Sequence, residues 1–467
     1  MSNTDRIFEK ALVCMTYSFL AMPFIIFSIG FMKPLFGIPV AVCVLISLLI
    51  AIKHTELSWV PQLTKNTVIK LIICVTIIAL WVFVSGIGKF VWQNSDHPFR
   101  NEIFKLLVTK PWPVSSILEG QEYKFVYYMG FWMPAAVIGK LFGLTAGFVF
   151  QYLWAILGVF CTFLLVCSLK HKFLLRTLIV IILFSGLDYV GTALVRHAIP
   201  KLISASHDEW WAGAFQYSSM TTQIFWVFNQ AIPAWVATAL LLNQKNNKNI
   251  IFIMGVLLLN STFPFMGLLP IICHLILSKS KINDKINIGN SVKSCMSIQN
   301  VAGGGIAGII TFLFLASNVR TSTFSFVSTT LVKYFTFCIL EFGLYMFFVF
   351  KSQYKNPLFY VIGISLLIFP AFYIPDGNFI MRASIPPLFI LMLMVSEKIE
   401  TYKNSKCYFA LMFVFLIGGI TPMHEMLRTA KNTYDGQENW FKTEEEIMTD
   451  KNFMGDSQSF FFTHISK

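Results

Sequence analysis

Charge is what this sequence lacks. Only 13% of its 467 residues are Asp, Glu, Lys or Arg, against roughly 25% in a soluble globular domain. So few charges cannot clothe a water-facing surface of this size, which excludes an ordinary soluble protein. The nine cysteines (14, 43, 74, 161, 167, 273, 295, 338 and 407) include no CxxC and no Cys/His metal spacing. That excludes the common zinc and dithiol motifs, and the cysteines read as small packing residues. No basic stripe with interleaved aromatics is present, so a nucleic-acid partner is not expected. The first apolar run is about 22 residues long, beyond a signal-peptide h-region, and no small-residue cleavage site follows it, so no cleaved signal is expected.

What is abundant is apolar sequence. Hydrophobic residues make up 56% of the chain, and Phe alone occurs 48 times. Runs of about 18 or more apolar residues suggest membrane-spanning helices. Spans are expected at about 9–31, 35–52, 68–92, 147–168, 174–192, 221–243, 249–261, 263–279, 300–317, 331–351, 356–373, 380–396 and 406–421. The fold class is therefore all-α, a polytopic transmembrane bundle of about thirteen spans. The stretch 249–279 is too long for one helix and is expected to break at Phe263-Pro264, because proline removes a backbone donor.

Orientation follows from Lys and Arg in short loops. With the N-terminus in the cytoplasm, the inner loops carry Lys53, Lys65 and Lys70; Lys170, Lys172 and Arg176; Lys245 and Lys248; Lys279, Lys281 and Lys285; Lys351 and Lys355; Lys398, Lys403 and Lys406. The short outer loops have Lys33, Arg196, Lys201, Arg320 and Arg382. The formal charge of +13 is thereby accounted for without an anionic partner. The bias requires that 127–143 (YYMGFWMPAAVIGKLFG) not cross. It holds Lys140, is split by Pro134, and is expected to lie along the outer surface with its apolar face down. The region 1–421 is then a transmembrane domain with one long external loop at about 94–146, and 422–467 is an external polar tail, read as a short helix or an arm folded over the outer face.

A bilayer penalises ionisable groups, so each one near a span has two readings. Asn94-Ser95-Asp96-His97-Pro98-Phe99-Arg100-Asn101 gathers a carboxylate, an imidazole and a guanidinium at the outer interface. Asp96 suits a general base and Arg100 a phosphate ligand, with His97 and Asn101 beside them. Alternatively, Asp96 caps the helix that follows. Asp188 lies near the outer end of an apolar span and must face a cavity or a partner helix. His207-Asp208-Glu209-Trp210-Trp211 suits sugar binding, since an indole face packs on a pyranose; it equally suits an interfacial aromatic belt. Asn229 and Gln230 lie within a span and need partners from other helices or a ligand. Arg382, the sole cation between Lys355 and Lys398, sits where a lipid phosphate would lie, or it snorkels to headgroups. All but the Asn229-Gln230 amides fall clearly at the outer end, which places the work at that membrane–water interface.

On these residues the chain resembles the C-type glycosyltransferase superfamily, polytopic enzymes that use polyprenyl-linked sugars. Their long first external loop begins with an acidic residue, the position of Asp96 here, and carries a surface helix like 127–143. More narrowly, SGLDYVG (185–191), HDEWW (207–211), FWVFNQAIPAW (225–235) and MRASIP (381–386) resemble a group of uncharacterised bacterial membrane proteins of this kind. The resemblance implies a glycosyltransferase at the outer face of a bacterial inner membrane. It implies a lipid-linked sugar donor, Asp96 as the catalytic carboxylate (Asp188 is the other candidate) and Arg382 on the donor phosphate. Asp208, Glu209, Trp210 and Gln230 would complete substrate binding. Two spans precede the one that feeds the long loop, where the simplest members have one, and the loop has no Asp-x-Asp pair, so neither a divalent metal nor another cofactor is expected.

Three other readings stand beside it. A polysaccharide ligase or polymerase would share the outer-face site. A transporter calls for midplane broken helices, ionisable residues and internal repeats; the sequence offers the break near Pro264 but no repeat. A scaffold would not need Asp96 and Asp188 facing the same side.

Overall fold

The computed structural model describes residues 3–118, 120–173, 175–203, 207–280, 287–320, 325–327, 329–374, 379–401 and 406–467. Lys281, Lys285 and Lys403 of the basic loops lie outside them. Among the described residues, nine helices are long and apolar enough to cross a membrane, or ten if one pair bent by 71° counts as a span. The chain is thus a multi-pass helical membrane protein.

Helices α1 (Asn3–Phe31) and α2 (Pro34–His54) form a hairpin, followed by α3 (Lys65–Val84). The long loop then holds α4 (His97–Thr109), a hairpin of β1 (Ser115–Leu118) and β2 (Gln121–Phe125), and α5 (Met133–Phe142). Next come α6 (Leu144–Lys170), the broken pair α7 (Leu175–Leu183) and α8 (Asp188–Arg196), and α9 (Met220–Asn243). After these follow α10 (Ile250–Leu257), α11 (Thr262–Lys279), α12 (Ile288–Cys295) and α13 (Ile306–Leu315). The last third contains β3 (Ser325–Phe326), α14 (Leu331–Cys338), α15 (Leu344–Gln353), α16 (Pro357–Ile368), β4 (Phe372–Tyr373), α17 (Phe379–Ala383), α18 (Ile385–Thr401), α19 (Lys406–Gly418), α20 (Ile420–Tyr434), α21 (Glu444–Thr449) and β5 (Met454–Asp456).

Contacts between loops define two ends. At the first, Lys10 Nζ donates to Thr55 O at 3.2 Å, Lys245 pairs with Glu56 at 3.4 Å, Asn247 donates to Ser280 at 2.7 Å, and Lys170 pairs with Glu400. At the other, β5 adds antiparallel to β2 with Tyr123 opposite Asp456, giving a β1-β2-β5 sheet. There Met32 bridges to Ser466 and Asn318 to Gly455. Loops expected on one side of the membrane are thus joined at one end. We call the second, which carries the long loop and the tail, the loop end.

Four expected boundaries move. The 127–143 stretch packs into the protein over its first half: α5 is ten residues, about 15 Å, and Phe131, Trp132, Met133, Ala135 and Ala136 are fully buried, whereas Leu141 and Phe142 are exposed. Small residues permit this close packing, since a side chain on Gly139 would strike Val108. The break expected at Phe263-Pro264 falls one turn earlier, between Leu257 and Thr262; Pro264 is tolerated in the first turn of α11, where amides lack helical partners anyway. The last helix does not stop near 421 but continues as α20 to Tyr434. The 174–192 span is broken at 184–187.

Close packing in the bundle rests on small residues, as membrane interiors require. A Cβ on Gly304 would collide with the backbone of Ile251, and one on Gly255 with that of Gly304. Gly304→Val is expected to force α10 and the 299–305 turn apart and to destabilise by about 1–3 kcal/mol. Thermal unfolding in lipid discs measures this, and an unchanged transition would show that the contact is not tight.

Candidate functional site

The loop end contains a cavity of about 400 Å³ lined by Asp96, Arg100, Tyr127, Tyr128, Phe263, Arg320, Arg382, Asp450 and Asn452, within the usual range for small-ligand sites. Three residues singled out in the sequence, Asp96, Arg100 and Arg382, therefore meet from segments 282 residues or more apart.

Asp96 holds the position before α4 but makes no capping hydrogen bond. Its Oδ2 accepts from Arg100 NH2 at 2.9 Å, one helical turn on, and its side chain remains 38% exposed. The capping alternative therefore falls: the carboxylate is turned along the helix into the cavity. Arg100 lies over the Phe228 ring at 5.8 Å, and its NH1 is buried without a hydrogen-bond partner. Arg382 donates to the Tyr128 hydroxyl at 3.0 Å and lies over Phe263 at 5.9 Å. Tyr127 donates in turn to Tyr128. Burial holds the Tyr127 phenol well above its ordinary range, so it stays protonated. Three guanidinium groups against two carboxylates leave the cavity net positive, with donors suited to a planar-oxygen anion.

His97 and Asn101 do not join it. His97 Nε2 is 3.0 Å from Phe225 O, and its Nδ1 is 3.1 Å from Gln93 Nε2. Asn101 donates to Gln93 Oε1 at 2.7 Å. Asn94 also donates to Phe225 O, at 2.7 Å. The reason lies in α9: Val227 is non-helical (φ −137°, ψ 35°), and the loop side chains satisfy a carbonyl at this kink. Gln230 is buried in α9, and its backbone carbonyl accepts from Ser261 at 2.7 Å. None of His97, Asn101 and Gln230 lines the cavity.

On the other side of α9 is a buried ionic network. His207 Nδ1 is 2.8 Å from Glu425 Oε1, and its Nε2 is 3.4 Å from Glu209 Oε2. The second Glu425 oxygen accepts from Arg428 at 2.7 Å and from Trp226 Nε1 at 2.8 Å. Glu209 also accepts from Ser219 N at 2.9 Å and Gln216 Nε2 at 3.1 Å. Asp208 lies 3.7 Å from His424. Asp208 and Glu209 are each 1% exposed and do not line the loop-end cavity. Of that motif only Trp210 is exposed, packed edge-on to His207 and Trp226. Asp188 is likewise buried, away from the cavity, and receives Ser185 Oγ at 2.9 Å. Among the described residues no group of three or more His, Cys, Asp or Glu side chains is placed to hold a metal ion.

Glu341, His424, Glu425 and Arg428 were not among the sequence candidates, nor were Tyr127, Tyr128 and Arg320 at the cavity. Glu341 carried a signal: it is the only acid in the apolar stretch 331–353.

Two histidines make stability depend on pH in opposite senses. Burial works against charge on His207, but Glu425 and Glu209 outweigh it and raise it from 6.5 to about 10. Its contribution is full below about pH 6.5 and is lost as pH rises to about 10. Burial, and then the Arg100 charge, lower His97 to about 3; its contribution is present above about pH 6.5 and is lost as pH falls toward about 3. The melting temperature measured against pH is expected to peak near pH 6.5 to 7. A Glu425→Gln variant should weaken the alkaline decline, Glu209 retaining part of it. A flat profile across the range would contradict both assignments.

No protein-family model, no curated protein and no solved structure matches this chain.

Proposed function

We propose that this protein is a membrane glycosyltransferase. It takes a sugar from a polyprenyl-phosphate donor and passes it to a cell-envelope acceptor at the outer face of a bacterial inner membrane. The observation that carries this is the meeting of Asp96, Arg100 and Arg382 around one cavity at the loop end. The Lys/Arg bias supports placing the first end in the cytoplasm and the loop end outside. If the bent pair and the shorter helices α10, α16 and α18 are added to the nine long helices, the crossings would number thirteen and the C-terminus would be external.

The chemistry needs one base and one cationic sink. Asp96 takes the proton from the acceptor hydroxyl as that oxygen attacks the anomeric carbon. The bond from anomeric carbon to phosphate oxygen breaks, and the phosphate leaves with the electron pair. Arg382, with Arg320 on the same wall, stabilises the charge that develops there. The polyprenyl chain would leave sideways into lipid.

Purified protein in lipid, given labelled polyprenyl-phosphate sugars, tests this. Arg382→Ala is expected to lower kcat by about 10²–10³-fold, the effect of removing one preorganised charge donor. Unchanged turnover would return Arg382 to a headgroup-snorkelling role. Failure of every such donor both to bind saturably and to turn over would overturn the glycosyltransferase.

One observation favours a second reading. Asp188, Glu209, Glu341, Glu425 and Arg428 are all buried within or between spans, and ionisable residues there mark solute or proton pathways. Solute uptake into proteoliposomes, with no sugar transfer, would favour a transporter.

A further inference from the structure

Two irregular pieces of backbone meet inside the bundle. The apolar run 175–196 breaks at 184–187, where Ser185-Gly186 interrupts the helix. The segment Ile339–Gly343 between α14 and α15 is wound as a π-turn. Each leaves backbone groups outside the regular ladder, and each supplies one to the other: Leu187 N donates to Leu340 O at 3.0 Å. Such π-turns occur often at functional sites. Here the junction brings Asp188, the first residue of α8, against Glu341. No side chain fits between them, since a Cβ on Gly186 would strike the Glu341 carboxyl.

Both residues are 1% exposed, and their carboxyl groups lie against each other. One oxygen of each has an outside donor: Ser185 Oγ to Asp188 Oδ2 at 2.9 Å, and Trp211 Nε1 to Glu341 Oε1 at 3.1 Å. The remaining oxygens, Asp188 Oδ1 and Glu341 Oε2, have none. Among the described residues neither acid has an ion-pair partner. The charged groups facing the pair are Glu209, which adds negative charge, and His207, already held between Glu209 and Glu425. The Tyr345 hydroxyl also faces both acids and has no partner.

An ionised carboxylate only accepts hydrogen bonds. Two in contact, dehydrated and without a cation, repel, and they leave both inner oxygens unsatisfied. One hydrogen between them removes both faults at once, as in carboxylate dyads generally.

We propose that Asp188 and Glu341 form a proton-binding site, with one proton shared between Asp188 Oδ1 and Glu341 Oε2 at the junction of the broken helix and the π-turn. Release of that proton leaves two adjacent anions, so the pair must separate. Glu341 is bonded to Trp211, and Gly191 of α8 is packed on the same indole. Separation therefore moves α8 and the 207–211 loop at the loop end. The site stands whether the cavity transfers sugar or not.

Infrared spectroscopy of the purified protein in lipid discs tests it, with potassium as the only alkali cation. The expected result is a buried carboxylic-acid C=O band equal to one proton per chain at neutral pH. The band should shift on slow exchange into D₂O and be lost in both Asp188→Asn and Glu341→Gln. Glu341→Gln removes one anion and lets the amide donate to Asp188, which can then ionise. The wild-type spectrum decides even where a variant fails to fold: carboxylate bands with no acid band would overturn the proposal. A band that survives in both variants belongs to another group and would also overturn it. Loss of the wild-type band on replacing potassium by sodium would identify a sodium site and overturn the proton as occupant.

Discussion

Glu425→Ala is expected to destabilise the protein by about 3–5 kcal/mol, the cost of removing one member of a buried charge pair. Glu425 is fully buried and serves four neighbours at once: His207 and His424 on one oxygen, Arg428 and Trp226 on the other. Truncation leaves Arg428, 5% exposed, with no other ion-pair partner among the described residues, and leaves His207 with Glu209. The cost arises less from a lost attraction than from the charges left behind in a medium that solvates them poorly. Two comparisons isolate this cause. Glu425→Gln keeps the shape and the acceptor oxygen and should cost less. Glu425→Ala combined with Arg428→Met should recover part of the loss, because the stranded cation is gone. Melting temperatures of the three variants in one lipid would settle the order. If the double variant is the least stable, the network is held by packing and not by charge compensation.

The network also shows where the sequence was legible. Among the described residues, nine of the thirteen expected spans, or ten with the bent pair, match helices long and apolar enough to cross, and Lys and Arg distribution grouped the loops that contacts join at each end. The cavity residues Asp96, Arg100 and Arg382 stood out because a bilayer makes each charge conspicuous. What sequence could not supply was partnership. His424, Glu425 and Arg428 read as the start of a polar tail, since nothing local says that His207, more than 200 residues earlier, satisfies them inside the protein. Asp208 and Glu209, beside two tryptophans, suited sugar binding for the same reason: nothing local says that they are buried. His97 and Asn101 looked like ligand contacts because the kink at Val227, whose neighbouring carbonyl His97 satisfies, leaves no mark in the sequence. The buried position of α5 was hidden too: its apolar face and a surface-lying helix have the same pattern, and only Gly139 and its neighbours permit insertion. Ionisable residues were thus easy to find and hard to assign, because their environment is set by distant segments.

Asp96→Asn is expected to lower turnover of a polyprenyl-phosphate sugar by about 10²–10⁴-fold, the contribution of a positioned general base, while donor binding persists. The carboxylate faces the cavity and is oriented by Arg100. Asparagine keeps its size and can still accept from Arg100, but it cannot take a proton. Any capping tendency is retained as well, since Asn caps as well as Asp, so a fall in rate cannot be assigned to a frayed α4. The contrast with Arg382→Ala is the discriminating feature. Loss of a base should fall on kcat alone, because the acceptor hydroxyl is bound before its proton moves. Loss of a phosphate ligand that also holds the ground-state donor should raise KM in addition. If both variants change KM and leave kcat intact, the cavity binds the lipid-linked donor without reacting it, as a transporter of that lipid would. If Asp96→Asn leaves both constants unchanged, Asp96 is not the base, and no other carboxylate singled out in the sequence could replace it from its present position, since Asp188, Asp208 and Glu209 are all 1% exposed and lie outside the cavity.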